Sequence, residues 1–244
     1  MNHVLLTGGT GLFGKIIVKA LLESGYKVTF TTRSIDKGNQ LLAKHNHSHN
    51  LEFKVVEFVD EQSITSFLDD CVNTGFTHLI NNARSIESLR VSNNLTSCSS
   101  MQQEFFLAVI LPYMLSTGFI DTLKSIVNIS SMYGVVPPNR NLYLDGYNSS
   151  PIQYGIAKSA QIHLTKELAV RLSERNVRVN SVSFGGIEGR VDSSFKERYS
   201  KLCPQGRMLV LEEIIEPILF LLDKNKSSGM TGHNLVVDGG WSTW

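Results

Sequence analysis

Cysteine is scarce in this chain of 244 residues: Cys71, Cys98 and Cys203 are an odd number at distant positions, with no C-x-x-C pair. That excludes a disulfide framework and a cysteine zinc site. An excess of either charge is also missing. Lys and Arg number 23 against 22 Asp and Glu, a net charge of +1, which removes the broad positive field that a sequence-independent nucleic-acid binder needs. Long apolar runs are lacking too. The stretch 214–222 is interrupted by Glu216 and Pro217 and falls far short of the roughly 20 residues that span a bilayer. Nor does the start carry a basic n-region or a cleavage site, since Met1-Asn2-His3 leads straight into Val4-Leu5-Leu6 and a glycine cluster. The expectation is a cytoplasmic chain that engages neither membrane nor nucleic acid.

What is present is the composition of a globule. With 42% hydrophobic and 18% charged residues the chain supports one sizeable core and is too apolar for global disorder. Short β-branched or aliphatic runs alternate with longer helix-like segments, a rhythm that predicts βαβ units and an α/β fold with a parallel sheet. Strands are expected at 3–7, 27–32, 52–57, 78–81, 125–130, 177–183 and 234–237, and helices near 12–24, 35–43, 62–71, 101–115, 152–174 and 212–222. Seven strands fit one doubly wound sheet with helices on both faces, a single domain over 1–244 with no repeat or linker. Two stretches break the rhythm, the Ser/Asn-rich 84–100 and the Pro/Asn/Tyr-rich 135–151. Connections of that length in a compact domain are often functional.

Thr7-Gly8-Gly9-Thr10-Gly11-Leu12-Phe13-Gly14 follows the first strand and opens the first helix. Glycines at 8, 11 and 14 allow a tight turn, close backbone approach to a pyrophosphate and close helix–strand packing, with the helix N-terminus facing the phosphates. The strand–glycine–helix context favours a dinucleotide site over a plain structural turn. At the end of the second strand, where a carboxylate would accept hydrogen bonds from the adenosine ribose of NAD, the sequence reads Thr31-Thr32-Arg33-Ser34. A guanidinium suits a 2′-phosphate, so NADP(H) is the expected cofactor, with NAD(H) and a merely solvated Arg33 as the alternatives. Asn81-Asn82-Ala83 ends the fourth strand, where small and amide residues can border the cofactor.

Of the seven tyrosines, Tyr154 alone has a lysine four positions on, Lys158, and on a helix that spacing puts both side chains on one face. A protonated lysine favours phenolate and lowers a tyrosine from its ordinary value near 10 towards the range of a general acid or base. Upstream, the fifth strand ends in Asn128-Ile129-Ser130-Ser131-Met132-Tyr133-Gly134, at the carboxyl edge where doubly wound sheets bind ligands. A serine hydroxyl there can hydrogen-bond a substrate carbonyl. Taken singly, the Tyr-x-x-x-Lys pair reads as an ordinary helix face and the serines as a strand-end cap; together with the glycine cluster they read as a site.

These residues, with Arg178-Val179-Asn180-Ser181, Thr231-Gly232 and Val237-Asp238-Gly239-Gly240, form an ordered set over which the chain resembles the short-chain dehydrogenase/reductase family. The resemblance implies a Rossmann-type domain, a nicotinamide cofactor, and Ser131, Tyr154 and Lys158 as the catalytic trio. It implies that Lys158 also holds the nicotinamide ribose and that Ile187, after Gly185-Gly186, meets the carboxamide through its backbone. Cofactor contacts are then expected from Gly8, Thr10, Gly11, Leu12, Phe13, Gly14, Arg33, Asn82, Ala83, Tyr154, Lys158, Gly185 and Ile187.

Departures from the family pattern are specific. Ala108 aligns with the helix asparagine that the family uses in its proton relay, and Asn94 would take that place only in another register. Arg84 replaces the glycine of Asn-Asn-Ala-Gly, Phe184 replaces a proline, and Tyr154 lies 23 residues after Ser131, a wide gap. The glycine spacing resembles that of the extended, sugar-nucleotide branch. With Ala108 there, the proton would reach Tyr154 either from the ribose hydroxyl and bulk water or through Tyr143, Asp145 or Tyr147 of the insert 135–151, unless the insert is only a lid. The amides, Arg140 and Asp145 of that insert suit a hydroxyl-rich ligand, and arginines of the polar segment 190–208, the family's mobile substrate loop, can clamp a carboxylate or phosphate. Candidate substrate contacts are Tyr133, Arg140, Tyr143, Arg190 and Arg207. The pattern resembles short-chain reductases of bacterial surface-sugar pathways. The reading is an NADP(H)-preferring oxidoreductase acting on the carbonyl or alcohol of a polar, sugar-like small molecule. The alternatives are a sugar-nucleotide epimerase or dehydratase, and a cofactor-binding sensor or structural subunit without turnover. No metal is expected: His45, His47 and His49 read as a solvated loop. Trp241 and Trp244 read as a subunit contact or as closing the pocket, in a homodimer or homotetramer.

Overall fold

Successive residues of a strand point to opposite faces, and the first strand shows what this does here: Val4 and Leu6 pack into one core while Leu5, between them, packs into another. A strand apolar on both faces must be covered on both. In the computed structural model, which describes residues 2–91, 95–145, 148–189 and 191–244, seven parallel strands run in the order β3-β2-β1-β4-β5-β6-β7. They are β1 (His3–Leu6), β2 (Lys27–Thr32), β3 (Leu51–Val55), β4 (His78–Asn81), β5 (Ser125–Ser131), β6 (Arg178–Phe184) and β7 (Asn234–Val237). Asn94, Tyr147 and Arg190, named above, lie outside the described residues.

The helices are α1 (Leu12–Glu23), α2 (Ile35–Lys44), α3 (Glu61–Cys71), α4 (Cys98–Phe105), α5 (Leu111–Gly118), α6 (Ile152–Arg171), α7 (Ser193–Leu202), α8 (Ile215–Leu222) and α9 (Lys224–Ser227). Ile17 and Leu21 of α1, Leu41 of α2 and Ile218 and Leu221 of α8 fill one core; Ile64 and Phe67 of α3, Leu111 and Leu115 of α5 and Leu168 of α6 fill the other. Among the described residues no helix is long and apolar enough to cross a membrane.

Beside the short α9, which was not expected, three elements differ from the sequence expectation. The single helix expected at 101–115 is two helices joined by a π-helical turn, Phe106–Ile110. Pro112 stands in the first turn of α5 and has no N–H to give to the carbonyl four residues back, so the helix widens just before it. The helix expected from 212 begins as a 3-10 turn, Leu211–Ile214, and becomes α8 at Ile215. The segment 190–208, read as a loop, contains α7, capped by the Asp192 side chain on Phe195 N at 2.8 Å. Its buried face is a single tyrosine, Tyr199.

Candidate active site

The sheet order reverses between β1 and β4, and such a reversal opens a crevice at the carboxyl ends of the strands. A cleft of about 660 Å³ lies there, bordered by the ends of β1, β2, β4, β5 and β6. Gly8, Thr10, Gly11, Leu12 and Phe13 line one wall. Gly8 takes a φ of +72°, in the left-handed region that glycine enters without a steric cost. Gly14 does not line the cleft; a side chain there would collide with the Gly8 carbonyl oxygen, so its bareness lets α1 close onto the turn. The N-terminus of α1 has no side-chain cap and no acidic residue in its first turn. Its leading amides therefore face the cleft without an intramolecular acceptor, which fits the pyrophosphate of a dinucleotide.

Polar side chains stitch this wall together. Thr31 Oγ1 accepts from Gly8 N at 3.0 Å, and the Thr10 and Thr32 hydroxyls bond at 2.9 Å. Asn82 Nδ2 donates to the Thr7 and Gly8 carbonyls at 3.0 and 3.2 Å, and Ala83 N donates to Thr7 Oγ1 at 3.0 Å. Asn82 and Ala83 line the cleft while fastening β4 to the glycine turn. Arg33, with a side chain 57% exposed, borders the adenosine end and pairs with Glu57 at 3.3 Å; Lys37 stands on the same border.

At the other end Ser131, Tyr154 and Lys158 line the same cleft. The two adjacent serines are sorted by their bonds. Ser130 Oγ donates to the Lys158 carbonyl at 3.1 Å, a structural tie, whereas Ser131 Oγ accepts from Tyr133 N at 3.2 Å and keeps its own proton to give. The 3-10 turn Met132–Gly134 rests against α6 so closely that a Cβ on Gly134 would sit 2.8 Å from the Lys158 carbonyl carbon. Backbone contact thus sets the spacing of Ser131 to the Tyr154–Lys158 face. Lys158 is 7% exposed, and its Nζ donates to Ile129 O at 2.6 Å and Gln161 Oε1 at 3.0 Å. Burial pulls its pKa down to about 8; the Glu104 carboxylate opposes that pull and the Arg84 guanidinium adds to it.

Phe184, Gly185 and Ile187 close the floor. Phe184 meets Phe13 edge-on, ring centroids 5.9 Å apart, joining the glycine turn to β6. Ile187 bridges Leu209 through its neighbours, Glu188 N donating to Leu209 O and Leu209 N to Gly186 O, both at 2.9 Å. In a parallel bridge this leaves the peptide groups of Ile187 itself pointing the other way.

The expected substrate residues separate. The Tyr133 and Tyr143 hydroxyls bond each other, and burial pushes both phenols up, with Tyr154 close enough to add to each shift. They pack on a third cluster, with Met132, Leu142, Tyr199, Met208 and Trp241, which ties the insert to α7; Arg198 Nε donates to Leu142 O at 2.9 Å. Arg140 is exposed on the insert's 3-10 turn, Arg140–Leu142. Arg207 is bound by Glu213 through both terminal nitrogens, at 2.7 and 2.8 Å, and neither arginine lines the cleft. Trp241 stacks on Tyr199 with centroids 4.5 Å apart, while Trp244 is exposed.

Two residues escaped the sequence reading of the site. The Arg84 guanidinium lies 5.1 Å from the centroid of the Tyr154 ring; its replacement of a glycine was the signal, but not its target. Glu104 is 2% exposed and accepts from Ser88 Oγ at 3.0 Å. Ala108, four residues on, is buried within the π turn with only a methyl group to offer.

Comparison with known proteins adds the following. Residues 12–242 match the family model described as enoyl-(acyl carrier protein) reductase. Post-translational flagellin modification protein A of Campylobacter coli is 38% identical over 117 residues, which covers 48% of this chain and 45% of that protein. Galactitol 2-dehydrogenase of Rhizobium johnstonii is 28% identical over 100% of this chain and 96% of its own length. A crystal structure of a short chain dehydrogenase from Leptospira borgpetersenii with bound NAD+ superposes with a TM-score of 0.84 at 25% identity, covering 99% of this chain and 92% of that one.

Proposed function

As this chain belongs to the short-chain dehydrogenase/reductase family, and so is an oxidoreductase that exchanges hydride with a nicotinamide cofactor, we propose that it prefers NADP(H) and acts on the carbonyl or alcohol of a polar, sugar-like molecule. The observation that carries the reading is convergence: the glycine turn and the Ser131–Tyr154–Lys158 group border one cleft. A nicotinamide bound there supplies the hydride in reduction and takes it up in oxidation. Tyr154 gives its phenolic proton to the carbonyl oxygen as that oxygen gains charge, and takes it back in the reverse direction. Ser131 donates a hydrogen bond to the same oxygen. Lys158, as an ammonium, favours the phenolate and lowers the barrier to that transfer.

Arg33 beside Thr32 supports a 2′-phosphate partner, because the strand end carries no carboxylate for a ribose diol. The galactitol enzyme, similar over the full chain, supports a hydroxyl-rich substrate. Exposed Ile110 and Tyr113 near α5 and Ile152 and Ile156 on α6 support assembly into a homodimer or homotetramer, which sedimentation checks. The functional test is a panel of polyols, ketoses and nucleotide sugars, followed by nicotinamide absorbance with NADPH, NADH and their oxidised forms. Turnover of a polyol or ketose with the phosphorylated cofactor is the expected result; turnover confined to apolar ketones overturns the substrate class.

A further inference from the structure

Lys158 is the one fully buried lysine or arginine among the described residues, and its Nζ rests on two neutral acceptors, Ile129 O and Gln161 Oε1. An ammonium withdrawn from water is costly unless a negative charge lies near it. The buried carboxylates among the described residues are Asp238 and Glu104. Asp238 is spent on the C-terminal turn, accepting from Gly240 N and Ser242 N at 2.9 and 3.0 Å. Among the described residues Glu104 has no cation within ion-pair distance and accepts from one hydroxyl, Ser88 Oγ. It sits on α4, which packs on the α6 that carries Lys158. Ser88 ties the two helices, because its carbonyl accepts from Gln153 Nε2 at 2.7 Å, one residue before Tyr154.

We propose that Glu104 is a positioning residue for the reaction, a buried carboxylate that holds the Lys158 ammonium charged from behind, against the Arg84 guanidinium at the mouth of the cleft. It takes over, one helical turn earlier, part of the support that Ala108 cannot give. The proposal rests on the reading of Lys158 as the partner of Tyr154. The charged groups felt by this lysine are Glu104 from α4 and Arg84 from the segment after β4; Tyr154 of its own helix and exposed Glu87 and Arg90 border the same cleft, and Tyr133 and Tyr143 couple to Tyr154. Of these, Glu104 favours the ammonium and Arg84 opposes it.

The test is a pH titration of the full chain labelled with carbon-13 at the lysine ε position, followed by NMR, with the Lys158 signal assigned by its loss in Lys158→Met. The native signal is expected to titrate near 8. Glu104→Gln keeps an oxygen for the Ser88 hydroxyl and removes only the charge, and should lower the midpoint by about one pH unit. Glu104→Asp should hold it nearer the native value, and Arg84→Ala should raise it. An unmoved midpoint in Glu104→Gln overturns the proposal. If that variant does not fold, Glu104→Ala decides: a midpoint that stays put there overturns it as well. Unchanged NADPH affinity in Lys158→Met defeats the reading of Lys158 instead, whatever Glu104 does.

Discussion

The two ends of the cleft handle positive charge in opposite ways. At the adenosine end Arg33 is in water and shares its charge with an equally exposed Glu57; at the catalytic end Lys158 is buried, and its ammonium is held by a carbonyl and an amide. An exposed pair of this kind contributes little to folding, so Arg33 is at liberty to exchange Glu57 for a ligand. A buried ammonium has no such liberty. Its protonation is set by what surrounds it, and small changes there carry through to Tyr154. On the proposed reading, selection among cofactors falls to the wet end, and chemistry to the dry one.

The sharpest break of this contrast is Tyr154→Phe, which removes the proton donor alone. Turnover on a verified substrate should fall by about 10²–10⁴-fold while NADPH affinity, measured by fluorescence, stays nearly native. Next comes pH. Because burial holds the folded pKa of Lys158 near 8, the ammonium is complete below that value and is lost as pH rises through it. Turnover and NADPH affinity should therefore both decline above about pH 8, and the affinity decline should vanish in Lys158→Met. Gly134→Ala places a methyl group against the α6 backbone and should cost about 1–3 kcal/mol in thermal unfolding, with a loss of kcat beyond what the loss of folded protein explains. At the wet end, Arg33→Ala should weaken NADPH by about 1–3 kcal/mol and spare NADH; equal losses for the two cofactors would remove Arg33 from the site. The smallest effect is expected from Arg207→Ala, within about 0.5 kcal/mol of native stability and with unaltered cofactor affinity, since Glu213 already holds that side chain away from the cleft.

Much of the frame was legible because strands buried on both faces spell themselves out as apolar runs. Residues 27–32, 78–81 and 234–237 were bounded as the structure has them, and the others lie within two residues of their expected ends. What the sequence concealed has particular causes. The helix α7 hides a single tyrosine, too little to print a helical period on a charged segment. The π turn arises because Pro112 withholds one amide, a local event that an apolar pattern passes over. At the site, the Tyr154–Lys158 pair could be picked out from its spacing on a helix, while Ser131 was chosen over Ser130 through the family resemblance. Glu104 and Arg84 could not be picked out, since one depends on the rotation of α4 and the other on where a long side chain folds back. Arg207 illustrates the reverse case, a plausible anion clamp whose partner six residues on had already taken it.

The contact of Gly134 with the backbone of α6 has a consequence for how this cleft can be rewritten. Gly134 lies against the Lys158 carbonyl of α6, main chain to main chain, so the excursion from Gly134 to the start of that helix does not alone carry the distance from Ser131 to Tyr154. Its exposed residues can be exchanged, by recombination or by grafting, with the hydroxyl and the phenol left in register, so long as Leu142 and Tyr143 keep their seat against Met132 and Tyr199. On the proposed reading, such exchanges leave the Ser131–Tyr154–Lys158 group where the frame holds it.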